Sequence, residues 1–240
     1  MNRYGRGLAA LLLFIACGWL IKTAFYQGWL RFNYPSRQQW PIQGIDVSHH
    51  QNPIDWAQIN PREIQFVFIK ATEGSSFRDP AFQQNWQNAR ASGLVTGAYH
   101  FFSLCTSGEQ QAQNFIATVP VAKNALPPVI DLEYGANCIP QNHEQVTAAL
   151  RVMTAKLEQV YQQKAILYAT REFYDDYLQQ DFLAHPLWIR DIWRQPSLPY
   201  DRQWTFWQYA NRGHVQGINT FVDLNVFQGS QAQFDALLRR

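Results

Sequence analysis

What most constrains this chain is a rhythm. From Gly44 onward, short runs rich in β-branched and aromatic residues alternate with longer amphipathic stretches. Gly44-Ile45-Asp46-Val47-Ser48, Phe66-Val67-Phe68-Ile69-Lys70 and Gly97-Ala98-Tyr99-His100-Phe101-Phe102 read as the first three strands. Val129-Ile130-Asp131-Leu132-Glu133, entered through Pro127-Pro128, is the fourth, and Ala165-Ile166-Leu167-Tyr168-Ala169 the fifth. Three more are expected over 186–190, 204–209 and 221–227. Helices are expected over 79–92, with Pro80 in the first turn, over 107–118, and from an Asn142/Gln145 capping box to about Gln162. A short one is expected over 171–178, and a closing one begins at Ser230. Strand–helix alternation implies parallel pairing. Eight strands in about 190 residues imply an α/β fold, a modified TIM-type (β/α) barrel with few helices in its second half.

In such a barrel, chemistry gathers at the C-terminal ends of the strands. That rim collects Asp46 and Ser48, Lys70 and Glu73, His100, Asp131 and Glu133, Tyr168, Asp191, Gln208, Asp223 and Asn225. Asp131 and Glu133 carry the most information. Side chains alternate on a strand, so the two carboxylates share a face, roughly 7 Å apart. Burial and mutual repulsion both raise a carboxyl pKa, which keeps a proton on an acid near neutral pH. Glycosidic bond cleavage needs such a pair. D-x-E alone is also a common surface pattern; its weight here comes from several strands delivering acids to one rim.

The other residue classes narrow the field. A net charge of +2 without a basic run gives no case for nucleic acid. No Cys/His cluster has metal-ligand spacing, and the adjacent His49 and His50 diverge if they lie on a strand. No metal or cofactor is expected, and the expected state is a monomer. Nine tryptophans and eleven tyrosines suit a carbohydrate cleft, with core filling as their other use.

Taken together, Gly44-Ile45-Asp46-Val47-Ser48-His49-His50-Gln51 with Ile54-Asp55-Trp56, Phe66-Val67-Phe68-Ile69-Lys70-Ala71-Thr72-Glu73-Gly74 and Gly97-Ala98-Tyr99-His100-Phe101 form an ordered series. Asp131-Leu132-Glu133, Trp207-Gln208-Tyr209 and Val222-Asp223-Leu224-Asn225 continue it. This series resembles the glycoside hydrolase family 25 lysozymes from about Ile42 to Phe227. The resemblance implies a modified (β/α) barrel that hydrolyses the β-1,4 bond between N-acetylmuramic acid and N-acetylglucosamine in peptidoglycan glycan strands. It implies Glu133 as general acid. Asp131 then either stabilises oxocarbenium-like charge or orients the substrate's acetamido group. Asp46 and Asp223, adjacent when the barrel closes, hold the floor of the site or serve the seam alone. Tyr99, Tyr168, Trp188, Asp191, Trp207 and Gln208 are the candidate substrate-binding residues, with core packing the rival for Trp207. Lys70 and Glu73 are expected as a supporting ion pair. One departure follows Leu187-Trp188-Ile189, where Arg190-Asp191-Ile192 replace a small residue and an aromatic. Arg190 either meets a peptide-stem carboxylate or points at solvent, the second being the expectation.

Two rival readings are weaker. A catalytically silent, membrane-tethered glycan-binding module has no need of both acids. A chitin-type hydrolase requires a longer D-x-x-D-x-D-x-E pattern that is absent.

The domain is expected over 42–240, behind a polar linker at 31–41 and an N-terminal segment at 1–30. Arg3 and Arg6 precede an uncharged, mostly apolar run from Gly7 to Ile21, then Lys22. The strict run is short against the roughly 17–25 residues of a bilayer span. Lys22 can snorkel, and Trp19, Tyr26 and Trp29 suit an interfacial belt. The expectation is an uncleaved single-pass anchor in a bacterial inner membrane, with the domain periplasmic or extracellular. A cleaved signal peptide and lipidation at Cys17 are the alternatives. Cys105 and Cys138 sit just past the third and fourth strands, on loops that leave one rim side by side, and are expected to form a disulfide rather than two free thiols.

Overall fold

Period-two alternation decides how the chain rolls up. In β1 (Gln43–Val47), Ile45 and Val47 join the core outside the barrel, while Gly44 and Asp46 turn inward. The computed structural model describes residues 3–139 and 142–238, without the side chains of residues 3–6 and 8–10. The remaining strands are β2 (Phe66–Glu73), β3 (Phe77–Arg78), β4 (Val95–Phe101), β5 (Val129–Leu132), β6 (Ile166–Thr170), β7 (Leu187–Arg190), β8 (Phe206–Gly213) and β9 (Val222–Phe227). Among the described residues, β1, β2, β4, β5, β6, β7 and β8 pair in parallel in that order, and β9 closes the ring between β8 and β1. The two-residue β3 folds back on β2.

The closed α/β barrel is the architecture expected, with one correction. β9 is antiparallel to both neighbours. A parallel return needs a crossover of about a dozen residues or more. Only residues 214–221 separate β8 from β9, so the chain turns back as a hairpin. Asp223 therefore reaches the catalytic rim from the N-terminal end of its strand, opposite Asp46.

Aromatic rings fill the far end of the barrel. Phe66, Phe68, Phe206 and Phe227 pack edge to face or tilted, at centroid distances of 5.2–5.6 Å. Phe234 from α6 (Gln231–Leu237) plugs the opening, 5.7 Å from Phe66 and 5.2 Å from Phe227. Gly44 and Gly97 make room for these rings: a Cβ on them would lie 2.3 Å from the Phe66 ring and 2.5 Å from the Phe68 ring. Each fully buried phenyl contributes roughly 1.5–3 kcal/mol.

Outside lie α2 (Phe82–Ala91), α3 (Gly108–Ile116), α4 (His143–Tyr161) and the single turn α5 (Arg171–Phe173), which widens at once into a π-turn over Tyr174–Leu178. Ser107, Asn142 and Ser230 cap α3, α4 and α6 by accepting from Gln110, Gln145 and Gln233 N–H groups. α2 begins later than expected because Asp79 is used elsewhere. Its Oδ1 accepts from the Ala81 N–H at 2.9 Å and its Oδ2 holds His49 Nδ1 at 2.7 Å. His49 and His50 lie on a 3₁₀ turn, not a strand, so their rings come within 4.0 Å instead of diverging.

Ahead of the barrel runs α1 (Arg3–Tyr26), with Leu13 and Phe14 exposed by 66% and 78%. Among the described residues no helix is long and apolar enough to cross a membrane. The span expected from the sequence includes residues 8–10, whose side chains lie outside the description. The expected linker is no free tether. Gly28, at φ 75°, lies against Arg212, whose carbonyl oxygen would be 2.1 Å from any Cβ there. Arg212 donates to Tyr26 O at 3.1 Å, His214 Nε2 to Gln27 O at 2.7 Å, and Asn33 Nδ2 to Tyr209 O at 2.8 Å. Phe25 stacks on Trp193 at 5.9 Å.

Cys105 and Cys138 form a disulfide across the loops after β4 and β5, with Cα atoms 6.2 Å apart. Asn137 reinforces it: its side chain donates to Phe102 O and Glu133 O and accepts from the Leu104 N–H. The bridge closes a sequence separation of 33 residues, which is worth about 3 kcal/mol. Replacing both cysteines by alanine is expected to lower the unreduced domain's melting temperature by roughly 6–12 °C. Thermal unfolding with and without reductant checks this, and the reductant should have no effect on the variant.

Candidate active site

Four inward positions near the open end of the barrel are carboxylic acids: Asp46 on β1, Asp131 on β5, Glu133 just past β5, and Asp223 on β9. With Lys70, Tyr99, Phe101, Ser48, His50 and Gln51 they line a cleft of about 560 Å³. Beneath them is a buried chain of hydrogen bonds. Asp46 Oδ2 accepts from Asn225 Nδ2 at 2.7 Å and from Gln208 Nε2 at 3.0 Å. Asn225 Oδ1 in turn accepts from Trp188 Nε1 at 2.8 Å, and Gln208 Oε1 from the Tyr168 hydroxyl at 3.0 Å. An indole N–H only donates, so it fixes the Asn225 carbonyl toward itself and the amide NH₂ toward Asp46.

Enclosure raises all four acids. Burial lifts Asp131 well above the ordinary carboxylate range, with the charges of Glu133 and Asp46 adding to it and Lys70 opposing. Glu133, half-buried at the mouth, is raised by burial, while Arg190 pulls it back. Burial also raises Asp46, opposed by its bonds from Asn225 and Gln208 and by a hydrogen bond with Asp223. Asp223 is pushed well up by burial and by the neighbouring charge of Asp46. Asp131 Oδ1 is buried without a hydrogen-bond partner, while the residue itself lines the cleft. The Tyr99 hydroxyl is held protonated by burial and by the surrounding acids.

The candidate residues fall into distinct layers. Asp46, Tyr99, Asp131, Glu133 and Asp223 meet in the cleft. Gln208 and Tyr168, expected to touch substrate, lie one layer below and act through Asp46. Trp188 is 2% exposed, stacked on Phe68 at 4.5 Å inside the barrel, and offers no face to a sugar. Trp207 is on the outer face of β8, 2% exposed between Trp204 and Tyr209, so core packing is its role. Asp191 turns into an adjoining cleft, where its Oδ1 accepts from the Trp193 and Arg194 N–H groups. Lys70 and Glu73 pair at 2.7 Å within the catalytic cleft. His100 faces α3 instead of the rim, held by Thr72 Oγ1 at 2.7 Å and Gln111 Oε1 at 3.0 Å, and burial lowers it to about 4.

Sequence reading missed two groups. Phe101 shares the inward parity of Tyr99 and was not singled out. Arg190, expected at solvent, shares the inward parity of Trp188 and exerts its charge on Asp46, Glu133 and Asp223. Among the described residues no group of three His, Cys, Asp or Glu is placed to hold a metal ion.

Comparison with known proteins agrees with this geometry. The family model described as "Glycosyl hydrolases family 25" matches residues 45–218. A family 25 glycosyl hydrolase from Bacillus anthracis superposes with a TM-score of 0.81 at 44% identity, over 86% of this chain and 98% of that one. The lysozyme of Streptomyces coelicolor superposes at 0.75 with 32% identity, over 82% and 96%. In sequence, lysozyme M1 of Streptomyces globisporus is 33% identical over 209 residues, 82% of this chain and 71% of the relative.

The electrostatics set a pH dependence with a definite sign. A raised carboxyl pKa gives stability that is complete below the unfolded value near 3.9 and lost as pH rises through the folded value. Asp223→Asn cannot ionise, and its amide still donates to Asp46. The variant is expected to be more stable than wild type at pH 7 by about 1 kcal/mol, with the difference shrinking toward pH 4. Thermal melts across that range measure it; a gap that widens on acidification contradicts the assignment.

Proposed function

We infer the roles of individual acids from a firm premise: the chain belongs to the glycosyl hydrolases family 25 and is a glycoside hydrolase of the lysozyme type that acts on peptidoglycan. In our reading it cleaves the β-1,4 bond between N-acetylmuramic acid and N-acetylglucosamine. Glu133 donates the proton to the leaving oxygen. It is the most accessible of the four acids, it stands at the cleft mouth, and its raised pKa keeps it protonated in mild acid. The observation that carries the assignment is the pair itself, Asp131 on the inward face of β5 and Glu133 just past its end, lining one cleft.

Asp131 is the partner group. Its place in the cleft beside Glu133 favours a role in accepting a substrate N–H, as an acetamido group supplies. A hydrogen bond to the charged form lowers a carboxyl pKa, so a substrate N–H on Asp131 would oppose the burial that raises it. The acetamido oxygen, so oriented, is placed to stabilise positive charge at the anomeric carbon. Asp46 and Asp223, sharing a proton, complete the floor. A silent glycan-binding module has no use for two raised acids side by side in one cleft, and this disfavours that alternative.

The proposal extends to location. The apolar side chains exposed around α1, including Leu13, Phe14, Trp19 and Ile21, support association with a bacterial inner membrane. The Cys105–Cys138 bridge supports a domain outside the cytoplasm. Cell fractionation combined with the intact mass of the mature protein tests this; a soluble form lacking residues 1–24 replaces the anchor with a cleaved signal.

The domain is expected to release muramic acid reducing ends from purified peptidoglycan. Its rate should fall as pH rises through the elevated pKa of Glu133. Glu133→Gln should reduce kcat by about 10²–10⁴-fold with the fold intact. Full activity in that variant assigns the acid elsewhere.

A further inference from the structure

Arg190 ends β7 at the rim of the barrel. Arg190 is an inward position beside the acids, yet among the described residues its guanidinium makes no ion pair or side-chain hydrogen bond. It lines a second cleft of about 590 Å³ that meets the catalytic cleft at Gly135. The other cations of that cleft are engaged. Arg171 donates to Asp175 Oδ2 at 2.9 Å and Ser197 O at 2.8 Å, and Arg194 approaches Asp191 Oδ2 at 3.8 Å. Trp193, 69% exposed, forms one side.

A half-buried, uncommitted guanidinium is a fork that fits a carboxylate. Neutral N-acetylated sugars offer none. On a peptidoglycan strand the anions belong to the lactyl group of muramic acid or to the peptide attached through it. A lone lactyl group does not fill a cleft of this volume, whereas a short peptide does. We propose that the cleft beyond Gly135 is a subsite for the peptide side chain of the strand, and that Arg190 binds a carboxylate of that peptide. The idea rests on the muramidase reading and adds a specificity element to it. Arg190 would also screen such a negatively charged side chain from Glu133 and Asp46, on both of which its charge acts.

The test compares wild type, Arg190→Gln and Arg190→Lys on three substrates. These are peptide-bearing strands, the same strands with their peptide carboxylates amidated, and peptide-free strands with free lactyl carboxylates. Arg190 also pulls down the pKa of Glu133, so its loss alters kcat and the pH profile on every strand. The diagnostic quantity is therefore KM on one strand relative to another. Arg190→Gln is expected to raise KM on the peptide-bearing strand at least tenfold more than on the amidated one, with Arg190→Lys recovering part of the loss. Amidation should weaken wild type similarly and the Gln variant little. An equal KM change on free and amidated strands overturns the subsite. A selective loss on peptide-free strands overturns the peptide as partner and assigns Arg190 to the lactyl carboxylate. If wild type cleaves none of the three, the muramidase reading itself has failed; if it cleaves all three and charge has no effect, only the subsite has.

Discussion

The hydrogen bonds onto Asp46 are the constraint on which the site depends. An acid this deep is strongly disfavoured unless donors surround it, and two amides supply them. Each amide is oriented by a group beneath it, the Trp188 indole or the Tyr168 hydroxyl, and these are seated in the aromatic layer that fills the barrel. The order runs upward: rings packed around Gly44 and Gly97, then polar tips of rings, then amides, then acids. A disturbance in a lower layer is transmitted to the carboxylates because no layer has slack. This is preorganisation, in which polar groups are aimed before substrate arrives.

The same enclosure sets stability against chemistry. Raised carboxyl groups held close together oppose folding as pH rises, so the barrel must be secured by other means. The disulfide and Asn137 brace the two loops nearest the acids, and the phenyl cluster with Phe234 closes the opposite end. Stabilising contacts thus flank the site without entering it.

Much of this was legible in the chain because period two is a local signal. It placed Asp46, Asp131 and Glu133 on one inner surface, and adjacency of the third and fourth strands was enough to pair Cys105 with Cys138. Depth along a strand is not a local signal. Tyr168 and Trp188 have the right parity and composition for sugar contact, but they stop one layer short, where an aromatic ring serves as the base for an amide. Arg190 was readable from the inward parity of Trp188, yet its charge favoured a solvent assignment. The reversal of β9 went unread, although residues 214–221 are too few for a crossover, because the strand–helix alternation before it favoured parallel pairing throughout. The docking of residues 25–34 on β8 had no local signature, because prolines and polar residues read as a linker whether or not a distant strand receives them.

That docking changes what α1 can do. A flexible tether lets a domain sample a broad volume, with reach growing as the square root of its length. Here the chain between helix and barrel is pinned by Gly28, Asn33 and the Arg212–Tyr26 contact, so no such sampling is available. Were a surface to hold α1, the cleft would be presented at a set height and tilt above it, like a blade on a short rigid handle. The domain would then be confined to a thin shell of substrate beside that surface, and moving the shell outward would require changing the barrel's own β8 edge.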